Sequence, residues 1–308
     1  MSEYQFYEFL AIDKPLSEKD KKEIGRWSSR TNPTNTGAIF IYNYSDFQKN
    51  EIEVVEKYFD AMFYISNWGT TQLVFKLPNN LIDINKLKQY CIADAVYLIE
   101  KPDFSTLNIC ISDEEGRAGW IDGEGHLASL VTLRNDILSG DYRCLYLIWL
   151  KVNTEMVLND WEDIDLKINE PQVPNNLNSL SGALLDFVDV FEIDEDAIAV
   201  AAQNSNSGSL GNIDEYSNYV TKLTNKEKDE LLLRLLKNEP LLNIKLKNRL
   251  KNFSKENQIQ NFEKRRTIGK IVHSITEANE RRKIQEKRKR EKKRLAKLQK
   301  SRNYKTEL

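Results

Sequence analysis

Only two histidines and three cysteines occur among the 308 residues, and that scarcity removes whole classes of chemistry. Cys91, Cys110 and Cys144 are odd in number and form no CxxC pair, which argues against a disulfide frame or a structural zinc site. A histidine-dependent triad would have to be built on His126 or His273, and no nucleophile stands at a spacing that serves either. Phosphate-cradling loops are missing as well. No GxxxxGKS or GxxxxGKT stretch occurs, and GEGHLASL lacks the glycine spacing of a dinucleotide loop, so no cofactor is expected. The longest apolar run, Cys144 to Leu150, is bracketed by Arg143 and Lys151 and is far shorter than the ~20 residues of a membrane helix. The opening MSEYQFYEFL places acid and aromatic residues where a secretory leader needs a basic region and an apolar run. These features predict a soluble, cytoplasmic protein with no membrane partner.

What is present is a chain able to fold. Apolar residues make up 40% and aromatics 10% of it, and its length allows two domains with real cores. Tyr4 to Ile12 is dense in β-forming residues on both faces, as expected of a central strand. Ser17 and Asp20 resemble a capping box, Ala38 to Tyr44 reads as a second strand, and Ile52, Val55 and Phe59 recur at helical spacing. AMFYISN and TQLVFKL form a hairpin pattern around Gly69. A helix over Ile82 to Cys91 and strands over Val96 to Ile99 and Leu107 to Ile111 follow.

Beyond His126 only helices are expected. One carries Leu127, Leu130 and Ile137 and ends at Gly140; the next, Tyr142 to Val152, is apolar almost all round and therefore buried. Asn159 to Pro174 reads as an acidic linker or edge segment, and Asn204 to Asn212 as a flexible polar spacer. Thr224 with Glu227 forms a capping box, and Pro240 opens a partner helix bearing Leu242, Leu246 and Leu250. The fold class is thus α+β, a mixed N-terminal sheet with flanking helices followed by an all-α region ending in a long basic helix. The expected division is an α+β domain over 1–125, a helical extension over 126–203, a spacer over 204–212, a helical hairpin over 213–260 and the long helix over 261–308.

Three blocks, MSEYQFYEFLAIDKPL, YFDAMFYISNWGT and IDEDAIAVAA, carry a likeness to known sequences. With them the chain resembles a bacterial protein family with no assigned activity, whose members open on a similar EYQ-aromatic-YEF stretch and carry a charged helical tail. The resemblance covers Ser2 to about Ala202 in scattered blocks, with the tail matched in character alone. It implies a bacterial cytosolic protein, shorter than family members that run on past such a tail, and brings no activity with it.

Two stretches could carry function. The first is SDEEGRAGWIDGEGHL, where Asp113, Glu114, Glu115, Asp122 and Glu124 could supply oxygen ligands to Mg²⁺ or Ca²⁺, with His126 as an acid or base. Its spacing matches no established metal loop. The competing reading is an exposed turn in which Asp and Gly provide geometry and Glu124 favours the start of the next helix.

The second stretch is electrostatic. From Glu263 onward 18 basic residues stand against 6 acidic ones, a net charge of +12 in a chain of net −2, so the preceding part carries −14. Arg281, Arg282, Lys283, Lys287, Arg288, Lys289, Arg290, Lys292, Lys293 and Arg294 surround a helix on nearly every face. That pattern suits phosphate contacts and offers no geometry for reading bases, so binding to nucleic acid would be nonspecific and salt-sensitive. Pairs such as Glu277 with Arg281, Glu280 with Lys283, Glu286 with Arg290 and Glu291 with Arg294 are expected to support the helix. The alternatives are a coiled-coil or solvated segment, or an arm docked on the chain's own acids around Asp186, Asp189, Glu192, Asp194 and Asp196. The leading expectation is a non-enzymatic adaptor or scaffold that meets a protein partner and touches nucleic acid or an acidic subunit. A divalent-metal hydrolase built on Asp113, Glu115, Asp122, Glu124 and His126, and a purely structural subunit of a larger bacterial complex, are the alternatives.

Overall fold

A computed structural model describes residues 4–112, 122–158, 165–207, 213–253 and 265–306, with backbone alone for 213–215 and 296–306. The first part alternates strands and helices: β1 (Gln5–Leu10), α1 (Glu18–Ile24), β2 (Gly37–Tyr42), α2 (Glu51–Tyr58), β3 (Ala61–Ser66), β4 (Thr70–Pro78), α3 (Ile84–Lys88), β5 (Val96–Glu100) and β6 (Phe104–Ser112). The six strands form one sheet in the order β2-β1-β3-β4-β6-β5. The α+β class holds, but every neighbouring pair is antiparallel, so the sheet is not mixed. A mixed sheet would need at least one parallel pair of neighbours. Instead β1 lies between β2 and β3, so the two strands that α2 joins run parallel without touching. The expected Ile82 to Cys91 helix shrinks to the five residues of α3, because the chain then turns into an Ile92–Val96 bridge with Ala93 at positive φ.

Strand alternation gives the sheet two apolar faces. Tyr7, Phe9, Phe40, Met62, Tyr64 and Val74 point to α1 and α2, where Trp27 and Phe47 complete an aromatic cluster. Phe6, Phe63, Ile65, Leu73, Leu107 and Ile109 point the other way, towards α4 (His126–Leu138), α5 (Arg143–Leu158), α6 (Gly182–Val190) and α7 (Glu195–Ala202). The all-round apolar stretch is a buried helix as expected, since every residue of α5 from Arg143 to Thr154 is buried. Its polar members find partners. Asn153 Nδ2 donates to the Trp149 carbonyl, Thr154 Oγ1 to the Leu150 carbonyl, and Arg143 pairs with Asp141 while donating to the Ser179 carbonyl.

Next come α8 (Ile213–Val220), which the sequence reading did not single out, and the expected pair α9 (Asn225–Leu236) and α10 (Leu242–Lys251). The Thr224–Glu227 capping box is in place. Ile244 of α10 reaches the main core, so the apolar interior continues from the sheet to this helix. Asn204 to Asn206 is fastened rather than free: Ser205 Oγ accepts from Leu177 N and donates to the Pro174 carbonyl, and the Asn206 carbonyl accepts from Asn176 N. Residues 208–212 of the expected spacer lie outside the described residues.

The two layers are joined by Arg134 of α4, which is fully buried. Its guanidinium meets both carboxylate oxygens of Asp13 at 3.0 and 2.7 Å, its Nε donates to the Lys76 carbonyl at 2.8 Å, and Asp60 Oδ1 lies 3.9 Å away. Asp60 Oδ2 in turn accepts from the backbone of Ile12 and Asp13 at 2.7 and 2.9 Å. Replacing Arg134 with Met leaves two acids facing a guanidinium-sized gap, and the expected loss is about 3–5 kcal/mol in urea denaturation. Equal stability of the variant would contradict this account.

Candidate functional site

The acidic stretch is only partly within view. Asp113, Glu114 and Glu115 lie outside the described residues. Asp122 Oδ1 accepts from Glu124 N at 3.1 Å, so it shapes the turn into α4, as the turn reading supposed. Gly123 is where that turn touches the sheet. A Cβ there would stand 2.3 Å from the Phe6 ring, so no other residue fits without displacing the loop. Gly125, at φ +89°, takes the left-handed conformation that precedes the helix. Glu124 is exposed.

His126 opens α4, and its half-buried ring lies over Phe63 with centroids 5.6 Å apart. Its Nδ1 stands 2.9 Å from Asp186 Oδ1 on α6. The histidine is therefore oriented by a carboxylate, with Nε2 left to face elsewhere. Among the described residues, no group of three or more His, Cys, Asp or Glu side chains is placed to hold a metal ion.

Glu8 was missed by the sequence reading. In the register of the sheet it belongs to a cross-strand row, Ile39–Glu8–Phe63–Leu73–Ile109–Val96, in which it is the only polar side chain. One carboxylate oxygen, Oε2, is buried without a hydrogen-bond partner. Burial pushes the Glu8 carboxyl above the ordinary range; the charge of Glu124 adds to the rise and His126 opposes it. The α4 turn thus brings Glu124 and His126 of the expected set beside an acid of β1. A signal existed, because Phe6, Glu8 and Leu10 share one strand face and a charge in such a series is out of pattern.

The basic arm is α11 (Ile268–Thr306). It begins at Ile268, later than the Asn261 start that the periodicity indicated, and residues 254–264 lie outside the described residues. Its base is held firmly. Arg266 donates to both oxygens of Glu170 at 2.8 and 2.6 Å, and Tyr146 of α5 donates to the same carboxylate at 2.5 Å. Glu170 is 2% exposed. Asn169 and Thr267 form a β-bridge, and Gly269 N donates to the Leu166 carbonyl. Residues 159–164 of the stretch read as an acidic linker or edge segment lie outside the described residues, while Leu166 to Glu170 meet the root of the long helix, with buried Ile268, Ile271 and Ile275 packing against α5 and α7.

The last described ion pair between arm and body is Arg282 with Asp196, at 2.7 Å. From Lys283 to Leu295 every residue is exposed. Of the expected stabilising pairs only Glu277–Arg281 closes, at 3.2 Å, while Glu286 stands 3.8 Å from Arg282 instead. Long side chains in water gain too little from such contacts to hold one geometry. Of the acids proposed to receive the arm, Asp186 is paired with His126, and Asp196 meets Arg282 of α11 with Asp194 adding to the attraction.

Comparison with protein-family models, with curated proteins and with solved structures returns no match. The bacterial, cytosolic expectation therefore rests on the quoted sequence blocks alone.

The Glu8 carboxylate has a consequence for stability. Its folded-state pKa is raised, so ionisation penalises the fold: the cost is absent below the ordinary glutamate range and complete above the raised value. Glu8→Leu extends the apolar row and is expected to raise Tm by about 2–4 °C at pH 8, with the gain shrinking towards pH 4. Thermal unfolding across that pH range checks the sign, and a destabilised variant at pH 8 would refute it.

Proposed function

We propose that this protein is a non-enzymatic adaptor whose arm, α11, holds the phosphate backbone of nucleic acid while its body meets a protein. The observation that carries this reading is the exposure of Lys283 to Leu295 on every face, with ten Lys or Arg and two Glu between Arg281 and Arg294. Ile284 and Leu295 are the apolar residues of that span, 52% and 55% exposed and too few to make a coiled-coil seam. A phosphodiester chain needs no such seam.

The division of charge supports the same conclusion. The part before Glu263 carries −14 and repels phosphate, so contact is confined to the arm. The clamp at Arg266 and the Arg282–Asp196 pair fix where the arm leaves the body. Over Lys283 to Arg294 the helix rises about 18 Å, and roughly half of its cations can face one duplex at a time.

The protein partner is assigned to α9 in this reading, supported by Leu232, Leu233, Leu235 and Leu236, which are 58–79% exposed. Four leucines in little over one turn form an apolar ridge that water leaves unsatisfied. The Ile268 to Ile275 stripe offers no such surface, because its isoleucines are buried.

Fluorescence anisotropy with labelled duplexes of unrelated sequence tests the arm. Affinity should be alike for all sequences and fall with salt at a log–log slope of about −4, the value for four to five neutralised phosphates. A chain ending at Arg282 keeps every described contact with the body and should lose binding by about 100-fold or more. Undiminished binding by the shortened chain, or no binding by the full chain at low salt, would remove nucleic acid from the account.

A further inference from the structure

A cavity of about 380 Å³ lies where β1 and β2 meet the segment before β2, lined among others by Glu8, Leu10, Arg30, Thr36, Ile39 and Ile41. Its position follows from the cross-strand row. Helical packing covers the row over Phe63, Leu73, Ile109 and Val96, whereas at the β2 edge Ile39 and Ile41 remain 42% and 37% exposed. The apolar sheet face therefore emerges from under the helices at the point where Glu8 interrupts it. A volume of this size suits a small organic molecule.

The chemistry of the wall decides which kind. Leu10, Ile39 and Ile41 provide apolar surface, while Glu8 brings a carboxylate whose Oε2 lacks a donor within the described structure. The terminal torsion of a glutamate is soft, so either oxygen can be presented to the cavity. Charged groups that act on Glu8 are Glu124 and His126 from the α4 turn, and the exposed Arg30 also lines the cavity. At Glu8 an anion would be repelled by that carboxylate and by Glu124 beyond the lining, so it could be held only at the exposed Arg30, and among the described residues no three groups are placed to hold a metal ion. A neutral alcohol supplies one donor and leaves the charge uncompensated; an ammonium group supplies three donors and the opposite charge.

We propose that this cavity binds a small alkylammonium compound, its cationic head on Glu8 and its apolar body on Leu10, Ile39 and Ile41. The site is independent of the basic arm, which lies elsewhere on the chain.

The full chain can be titrated with n-hexylammonium chloride, hexan-1-ol and sodium hexanoate at pH 8, following backbone amides by ¹H–¹⁵N NMR. Saturable shifts at Glu8, Ile39 and Ile41 are expected with hexylammonium, at least ten-fold weaker binding with hexanol, and none with hexanoate. Glu8→Gln should weaken hexylammonium binding ten-fold or more while the variant melts no lower than the parent, and a chain ending at Arg282 should bind as the full chain does. Equal affinity for hexanol and hexylammonium, unaltered binding by Glu8→Gln, or shifts centred on α9 would overturn the proposal. So would no saturation up to about 10 mM. Binding of an acetyl-Val-Lys-Val-amide peptide without binding of hexylammonium would assign the cavity to a lysine of an extended segment, and would likewise overturn it.

Discussion

The buried guanidinium of Arg134 is the point on which the architecture turns. It reaches out of the helical layer to the ends of three strand connections at once: the exit of β1 through Asp13, the entry of β3 through Asp60, and β4 through the Lys76 carbonyl. Such a charge is tolerable in the interior because its three nitrogens each donate a hydrogen bond, two of them in the fork geometry that suits a carboxylate, with Asp60 as a second acid nearby. Apolar packing between α4 and the Phe6 and Phe63 face sets their distance, and the arginine adds directional contacts that fix the helix against named strand ends. With α4 fixed, His126 two turns earlier is fixed too, and with it the turn that presses Gly123 on Phe6 and sets the surroundings of Glu8.

A second buried acid–base contact governs the other end of the chain. Glu170, Arg266 and Tyr146 join the segment before α6, the root of α11 and the centre of α5. Its effect is directional. A helix with ten cations between Arg281 and Arg294 gains little from its own side-chain pairs and has no apolar stripe beyond Ile275 to draw it against the body. Its bearing is set at the root, and the Arg282–Asp196 pair extends that hold by four turns. Beyond this point the acidic body contributes only long-range attraction, damped over about 8–10 Å by physiological salt.

Much of this could be read from residues alone, and the boundary of legibility is physical. Period and caps are local, so the strands at Tyr4 to Ile12 and Ala38 to Tyr44, the capping boxes at Ser17 and Thr224, and the buried helix at Tyr142 to Val152 were all accessible. Sheet topology is not local. The antiparallel placement of β1 between β2 and β3 depends on register that no spacing reveals. Neither is the partner of a charge. Nothing near Glu170 in sequence announces that it is paired with Arg266, 96 residues away, so a buried acid went unseen within an otherwise exposed stretch read as a linker or edge segment. Arg134 falls in the same class, with Asp13 lying 121 residues upstream. For the candidate site the acidic turn was visible, while Glu8 passed as one more strand residue because its neighbours Phe6, Phe9 and Leu10 dominated the pattern.

Glu8 also separates this acid from the other two. Buried Glu170 and half-buried Asp13 have arginine partners, and each complements a charge that the fold holds. Glu8 complements nothing of that kind. It sits in an apolar row, one oxygen lacks a donor, and the nearest charges are a second carboxylate and a histidine already engaged by Asp186. A leucine there would pack the row better and remove a desolvated charge, so stability argues against the residue. A group that a fold tolerates at a cost motivates a hypothesis of use, and the proposed alkylammonium site places that use in the cavity beside Glu8. The cations of the arm past Arg282 likewise have no described ion pair with the body, and it is on them that the proposed contact with phosphate rests.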